Sequence, residues 1–257
     1  MTDWDAGTYH RLSCPQLTWG RKVADRLSPA AGERILDLGC GTGRLTAELA
    51  AGFPAVRFVG ADISGAMLAE ARRYSSGVAY LRADGAALPF RCAFDAVFSA
   101  ATFHWIVNHP ALFDEIHAVL KPGGRLLAQC GGGPNLHRLL DRTHALMDSV
   151  AFRHFFHGWR DPWHFAGTDE TRSRLAAAGF DDLDVSLEPA PTTLPDGDAF
   201  ARFISCVCVR HHVDQLPPAE RERFVSALAD AAAGDDPPFT LDYWRLNMSA
   251  RKPGAPS

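Results

Sequence analysis

The sequence predicts an α/β fold built on a mostly parallel sheet, and four stretches carry that reading. Arg34–Leu38 is a short apolar strand that runs into Gly39-Cys40-Gly41-Thr42-Gly43 and then into a helix with Leu45, Leu49 and Ala50 at helical spacing. Val56–Asp62 and Phe94–Ser99 are two further apolar runs, each followed by a helix-periodic segment. Lys121-Pro122-Gly123-Gly124 places proline and glycine where a type II turn needs them and leads into the strand Arg125–Cys130. Strands that alternate with helices in this way pair in parallel, because the helix carries the chain back across the sheet.

The first strand and its turn hold the chemistry. Glycines between a strand and a helix allow a sharp turn and close approach of backbone to a ligand, and the amides at the helix start can receive an anionic group. The spacing Gly39-x-Gly41-x-Gly43 is not the dinucleotide fingerprint, since Arg44 stands where the last small residue of that motif would fall. Asp37 also opposes a pyrophosphate, because a carboxylate beside two phosphates is repulsive. A ligand with positive charge suits it better, and S-adenosylmethionine (SAM) combines an ammonium and a sulfonium with a carboxylate and an adenosine. The segment Asp37-Leu38-Gly39-Cys40-Gly41-Thr42-Gly43 resembles motif I of the class I SAM-dependent methyltransferases. That resemblance implies a Rossmann-like seven-stranded, mostly parallel sheet with helices on both faces and a helical cap, with SAM as cofactor.

Composition agrees with such an enzyme. At 257 residues, 47% hydrophobic and 22% charged, the chain suits one domain with a substantial core. A net charge of −4 gives no support for a nucleic-acid or anionic-membrane partner, and no apolar run reaches membrane-spanning length. The acidic start Met1-Thr2-Asp3-Trp4-Asp5 lacks the pattern of a signal peptide, so a cytoplasmic location is the default expectation. Six cysteines form no C-x-x-C pair and no zinc pattern, and they read as small buried thiols.

In chain order, residues 1–33 form a helical lid. Trp4, Tyr9 and Leu12 share one helix face, and Pro15 opens a second helix carrying Leu17, Val23, Ala24 and Leu27. Tyr9 either closes over the methionine end of the cofactor, as the resemblance implies, or simply packs. Residues 34–130 are the SAM-binding core. Asp62 lies about twenty residues beyond the glycines, where an acid commonly accepts both hydroxyls of a ribose. Ser64 caps the following helix, and Ile63 and Met67 are placed to flank the adenine, although core packing alone would also explain Met67. Val78–Arg82 is a third strand, and the family resemblance gives Asp84, with Gly85 beside it, the adenine amino group. Ala100 to Trp105 end the fourth strand at the carboxyl edge of the sheet, where open α/β folds bind ligands. Asp37, Gly39, Cys40, Gly41, Gly43 and Ala100 complete the expected cofactor set.

Residues 131–179 read as a cap insertion and 180–251 as the C-terminal part of the sheet, together one domain over 1–251 with a disordered tail at 252–257. A helix over Leu136–Val150, a helix capped by Thr168, a sixth strand near Phe180–Leu187, helices over Asp196–Val209 and Pro217–Ala233, and a last strand over Phe239–Ala250 are expected. The cap stretch from Phe152 to Phe165 is aromatic and basic, which suits an apolar cavity for a small organic acceptor. Arg153 and Arg160 either fork an acceptor carboxylate or stay in water. His154 and His157 sit at helical spacing with no carboxylate at metal-ligand distance along the chain, so no metal is expected. His104-Trp105 resembles the His-Trp or Gln-Trp of carboxylic-acid O-methyltransferases, and implies that His104 faces the transfer site, as base or as orienting group, with Trp105 beside the acceptor. The expected reaction is O-methylation of a small molecule. N- or C-methylation, or SAM binding without transfer as a cyclase or regulatory module, are the alternatives.

Overall fold

The computed structural model describes residues 14–75 and 77–255, with side chains from Leu17 onward. Helix α1 (Cys14–Asp25) precedes β1 (Arg34–Leu38), α2 (Arg44–Gly52), β2 (Arg57–Asp62), α3 (Gly65–Tyr74), β3 (Ala79–Arg82), β4 (Phe94–Ala100), α4 (His109–Val119) and β5 (Leu120–Gly131). The remainder supplies α5 (His137–Met147), α6 (Thr168–Ala177), β6 (Asp181–Pro189), β7 (Thr192–Thr193), α7 (Gly197–Phe203), a π-helical turn (Ile204–Cys208), α8 (Arg210–Gln215), α9 (Pro218–Ala233), β8 (Thr240–Leu241) and β9 (Trp244–Arg251).

Seven strands form one sheet in the order β3-β2-β1-β4-β5-β9-β6. The first five are parallel, and β9 runs antiparallel between β5 and β6. The fold class read from the sequence is therefore the one observed. Parallel strands buried on both faces need continuous apolar runs, and Ile35, Leu36, Val97 and Phe98 are all buried. One face packs Val23 and Leu27 of α1 and Leu49 of α2 against Ile35, Phe58 and Phe98. The other packs Phe113 and Ile116 of α4 against Leu36, Val97 and Leu126. A separate aromatic cluster around Phe152, Phe200, Phe224 and Tyr243 joins α5, the loop after it, α7 and α9.

Several boundaries differ from the sequence reading for local reasons. The 196–209 segment is not one helix. It widens at the π turn, where the Val209 amide donates to Ile204 O at 2.8 Å. The last strand divides at Asp242, whose backbone and side-chain oxygens accept from the Leu136 and Arg138 amides, so that Thr240–Leu241 pairs with β7 and only Trp244–Arg251 joins the main sheet. Gly167, not Thr168, occupies the N-cap of α6, and α5 ends before the exposed Val150. Lys252, expected in a disordered tail, is anchored: its Nζ donates to His117 O at 2.8 Å and Leu120 O at 2.9 Å.

Candidate active site

The sheet order reverses between β1 and β4, and ligands of open α/β sheets bind in the crevice outside the strand ends at such a point. The loop after β1 is tied down on both sides. Asp62 accepts the Gly41 amide on Oδ2 and the Ser64 amide on Oδ1, both at 2.8 Å, so one carboxylate joins the glycine turn to the end of β2. Thr102 Oγ1 donates within reach of Gly39 O (3.2 Å) and Ala100 O (3.1 Å). Gly39 has φ 77°, and a Cβ there would overlap the Thr102 side chain, so this position admits only glycine. Ala101 holds φ 57° at the same strand end, a left-handed conformation rare for a residue with a side chain, and strain of this kind gathers at binding sites.

These loops enclose a cleft of about 360 Å³, within the range of small-molecule sites. Gly39, Gly41, Asp62, Ile63, Met67, Asp84, Gly85, Ala100 and Trp105 all line it. Ile63 is 59% exposed at the rim, a large apolar side chain left for a ligand to cover, whereas Met67 is buried against the wall. Asp84 Oδ1 accepts the Ala86 amide at 2.9 Å, which holds its carboxylate in the turn.

Three expected cofactor contacts are set back from the wall. Asp37 is buried behind the loop, where Thr46 Oγ1 donates to it at 2.6 Å. Burial, with Asp62 adding repulsion against the Thr46 bond, raises its carboxyl to about 7. Burial likewise pushes the Cys40 thiol well above its ordinary value. Gly43 starts α2 at φ 69°, and a Cβ there would meet the Tyr80 hydroxyl and Ala71. Its absence of a side chain serves helix packing rather than the cleft.

A second, smaller cavity of about 50 Å³ lies inward, and Ala101 and Trp105 line both spaces. His104, Asn135, Tyr243 and Arg245 bring polar groups to it, and Trp163 and Phe165 form its aromatic side. Register places Arg245 of β9 opposite Gly131 of β5. The guanidinium is 2% exposed, lies 4.3 Å from the Trp19 ring centroid and has Gln129 Oε1 at 3.4 Å. The Gly131 amide donates to His104 Nδ1 at 3.2 Å. An amide can only donate, so Nδ1 is the acceptor and the proton of the neutral ring sits on Nε2. Burial, with Arg245 and His109 adding positive charge, holds the imidazolium well below 6.5.

The cap arginines do not reach these cavities. Arg153 and Arg160 are exposed and line neither space, because the Arg153–Phe155 turn presents Phe152 and Phe156 inward instead. Tyr9 lies outside the described residues. Sequence reasoning passed over Arg245, Asn135, Tyr243, and on the cleft side Ile106, Val107, Pro162 and His211.

The glycine turn, the ionisable Asp62 and the apolar rim fit an adenosine-bearing cofactor. A family model described as a methyltransferase domain matches residues 35–124. A trans-aconitate 2-methyltransferase of Methylobacterium nodulans is 34% identical over 268 residues, covering 98% of this chain and 99% of that one. The chain belongs to the class I SAM-dependent methyltransferases. Solved structures agree on the fold. The YcgJ protein of Bacillus subtilis has a TM-score of 0.64 at 18% identity, covering 94% of this chain and 99% of its own. A Haemonchus contortus phosphoethanolamine N-methyltransferase 2, solved with S-adenosylhomocysteine, has a TM-score of 0.59 at 21% identity over 92% of this chain, which spans about half (52%) of that protein. Among the described residues of this SAM-dependent methyltransferase no helix is long and apolar enough to cross a membrane.

Proposed function

We propose that this methyltransferase transfers the methyl group to a carboxylate oxygen of a small organic acid. One observation carries the reading: His104 Nδ1 is occupied by the Gly131 amide, so the imidazole offers an N–H and not a lone pair to the inner cavity. An alcohol or phenol acceptor would have to lose its proton, and a ring committed as donor, with its conjugate acid held well below 6.5, cannot take it. A carboxylate, with an unperturbed pKa near 4, is already a nucleophile at neutral pH. His104 then orients an acceptor oxygen through Nε2–H. Arg245, on the same cavity wall, supplies the positive charge and fork that suit a carboxylate. The relative named as a trans-aconitate 2-methyltransferase, whose named acceptor is an organic acid, supports the same class.

When bound, SAM supplies an electrophilic methyl group on a positively charged sulfur. Gly39, Gly41, Ala100 and Gly85 give backbone access to the cleft. Asp62, its carboxylate held by the Gly41 and Ser64 amides, would accept the ribose hydroxyls. Ile63 and Met67, on the cleft wall, would cover the adenine, and Asp84 would accept from its amino group. Trp105 forms part of both cavity walls, and with Trp163 and Phe165 it excludes water from the transfer site. Asp37, Cys40 and Gly43 shape the loop from behind.

The test is kcat against pH for wild type and His104→Gln, on an organic-acid acceptor, with chemistry shown to limit the rate. A flat profile from about pH 6 to 8 and a substantially active Gln variant are expected. A wild-type rate that rises through a histidine-like pKa and a variant slowed about 10²–10⁴-fold would make His104 a general base and overturn carboxylate methylation.

A further inference from the structure

Outside the active site, three side chains distant in sequence meet: His144 of α5, Asp161 in the following loop and His212 of α8. Their ligand atoms all lie within 4.8 Å of one another. His144 Nε2 is 2.9 Å from Asp161 Oδ2, and His212 Nε2 is 3.2 Å from Asp161 Oδ1. We propose that His144, Asp161 and His212 form a structural site for a single zinc-class divalent cation.

His212 is the observation that separates this cluster from an ordinary ion network. It is completely buried, and neither of its ring nitrogens makes a hydrogen bond among the described residues, Nε2 lying near Asp161 but not in line with it. A buried imidazole whose ring nitrogens make no well-aligned hydrogen bond is costly, since it loses its water and recovers little in return. The rings of Trp159, Phe156 and Trp163 surround it at centroid distances of 4.9, 6.3 and 5.5 Å, so water is excluded from that side. A cation would use the Nε2 lone pair that is otherwise wasted.

The donor set selects the metal class. Two imidazoles and one carboxylate suit zinc and its neighbours, whereas calcium and magnesium require mostly oxygen. The imidazole nitrogens lie 2.9 and 3.2 Å from the two Asp161 oxygens, and one ligand atom from each residue falls within 4.8 Å of the others, a spread that brackets the edge of about 3.4 Å of a tetrahedron with metal–ligand distances near 2.0–2.2 Å. Trp159 Nε1 donates to Asp161 Oδ1 at 3.1 Å, an outer partner that orients the carboxylate as such sites commonly require. The consequence is mechanical. The cation would staple α5, the cap loop and α8, and the residues next to its ligands reach both cavities: His211 lines the cofactor cleft, and Trp163 lines the inner one. Zinc would thus hold the acceptor side of the site closed without touching the reacting atoms.

The full chain, stripped with a chelator and dialysed, should bind one zinc by elemental analysis and calorimetry. Cobalt(II) in its place should give the visible absorption of a four-coordinate site. Zinc at a hundredfold excess over its Kd should raise Tm by about 5–10 °C. His144→Ala, at the more exposed ligand, and Asp161→Asn, which keeps the side-chain shape, should abolish the stoichiometric zinc and the Tm rise while folding by circular dichroism. Absence of bound zinc in wild type, or zinc and a Tm rise that persist in both variants, overturns the site. Variants that lower Tm equally with and without zinc would show a hydrogen-bonded ion network only.

Discussion

Arg245 shows how much one buried charge can decide. A guanidinium taken out of water is retained when something anionic uses it, and here it borders a cavity next to the transfer site rather than a packed core. Trp19 of the N-terminal helix fixes its plane by a cation–π contact, so the fork is held in place before an acceptor arrives. Arg245→Lys keeps the charge and loses the fork. On an acidic acceptor it should raise KM about 10- to 100-fold, the scale of losing a hydrogen bond to a charged group, with SAM affinity unchanged. Steady-state kinetics and calorimetry on the folded variant check this. An unchanged KM would remove Arg245 from the acceptor site. The same substitutions at Arg153 and Arg160, exposed on the cap, should leave KM where it was.

At the scale of elements, legibility followed sequence distance. Gly39, Asp62, Ile63, Asp84 and Trp105 stand at the ends of strands whose apolar runs and turns are local signals, and each lines the cleft. Arg245 was not legible. Alternation in the last strand puts Tyr243 and Arg245 on one face, but only the insertion of β9 between β5 and β6, an antiparallel pairing over more than a hundred residues, brings that face to His104. The His144, Asp161 and His212 cluster was hidden for the same reason, since its members come from three segments with no motif spacing. The cap arginines misled because an aromatic and basic composition does not say which side chains turn inward. The sheet itself is locked to its preamble by Arg125 of β5, which forks Glu33 at 2.6 and 2.8 Å and also donates to Leu27 O at 2.9 Å. The Arg125 hydrogen bonds, against some burial, hold the Glu33 carboxyl below its usual value. That contribution is present above the unfolded pKa near 4.5 and is lost as pH falls through the lower folded value. Arg125→Ala should cost about 1–3 kcal/mol near pH 7 by urea denaturation, the range for breaking a partly buried pair, and less at pH 3.

The stability of the whole molecule carries the imprint of Asp37, because β1 is the centre of the sheet. An ionised carboxylate behind the glycine turn disfavours the folded state, and the raised value of about 7 against 3.8 states how strongly. The sign follows from proton counts. Below about pH 4 both folded and unfolded chains hold the proton, and the favourable contribution is complete. From there to about 7 the unfolded chain releases it while the folded chain keeps it, so stability falls as pH rises. Three units at about 1.4 kcal/mol each make a loss of about 4 kcal/mol, large against a typical total of 5–15 kcal/mol. Carboxylates with lowered values, such as Glu33 and Asp235, act in the opposite direction as pH falls, so the wild-type curve alone does not isolate Asp37. The comparison with Asp37→Asn does, since asparagine can still accept from Thr46 and carries no charge. Relative to wild type, the variant should gain about 1.4 kcal/mol per pH unit between pH 4 and 7 and level off above it. SAM brings positive charge to the cleft that Gly39 and Gly41 line, a few residues from Asp37, and so should favour the ionised carboxylate and shrink this gap at pH 8. Urea denaturation at four pH values, with and without SAM, measures both. A gap that does not change with pH would mean that Asp37 is ionised throughout and that its burial is offset by partners beyond Thr46.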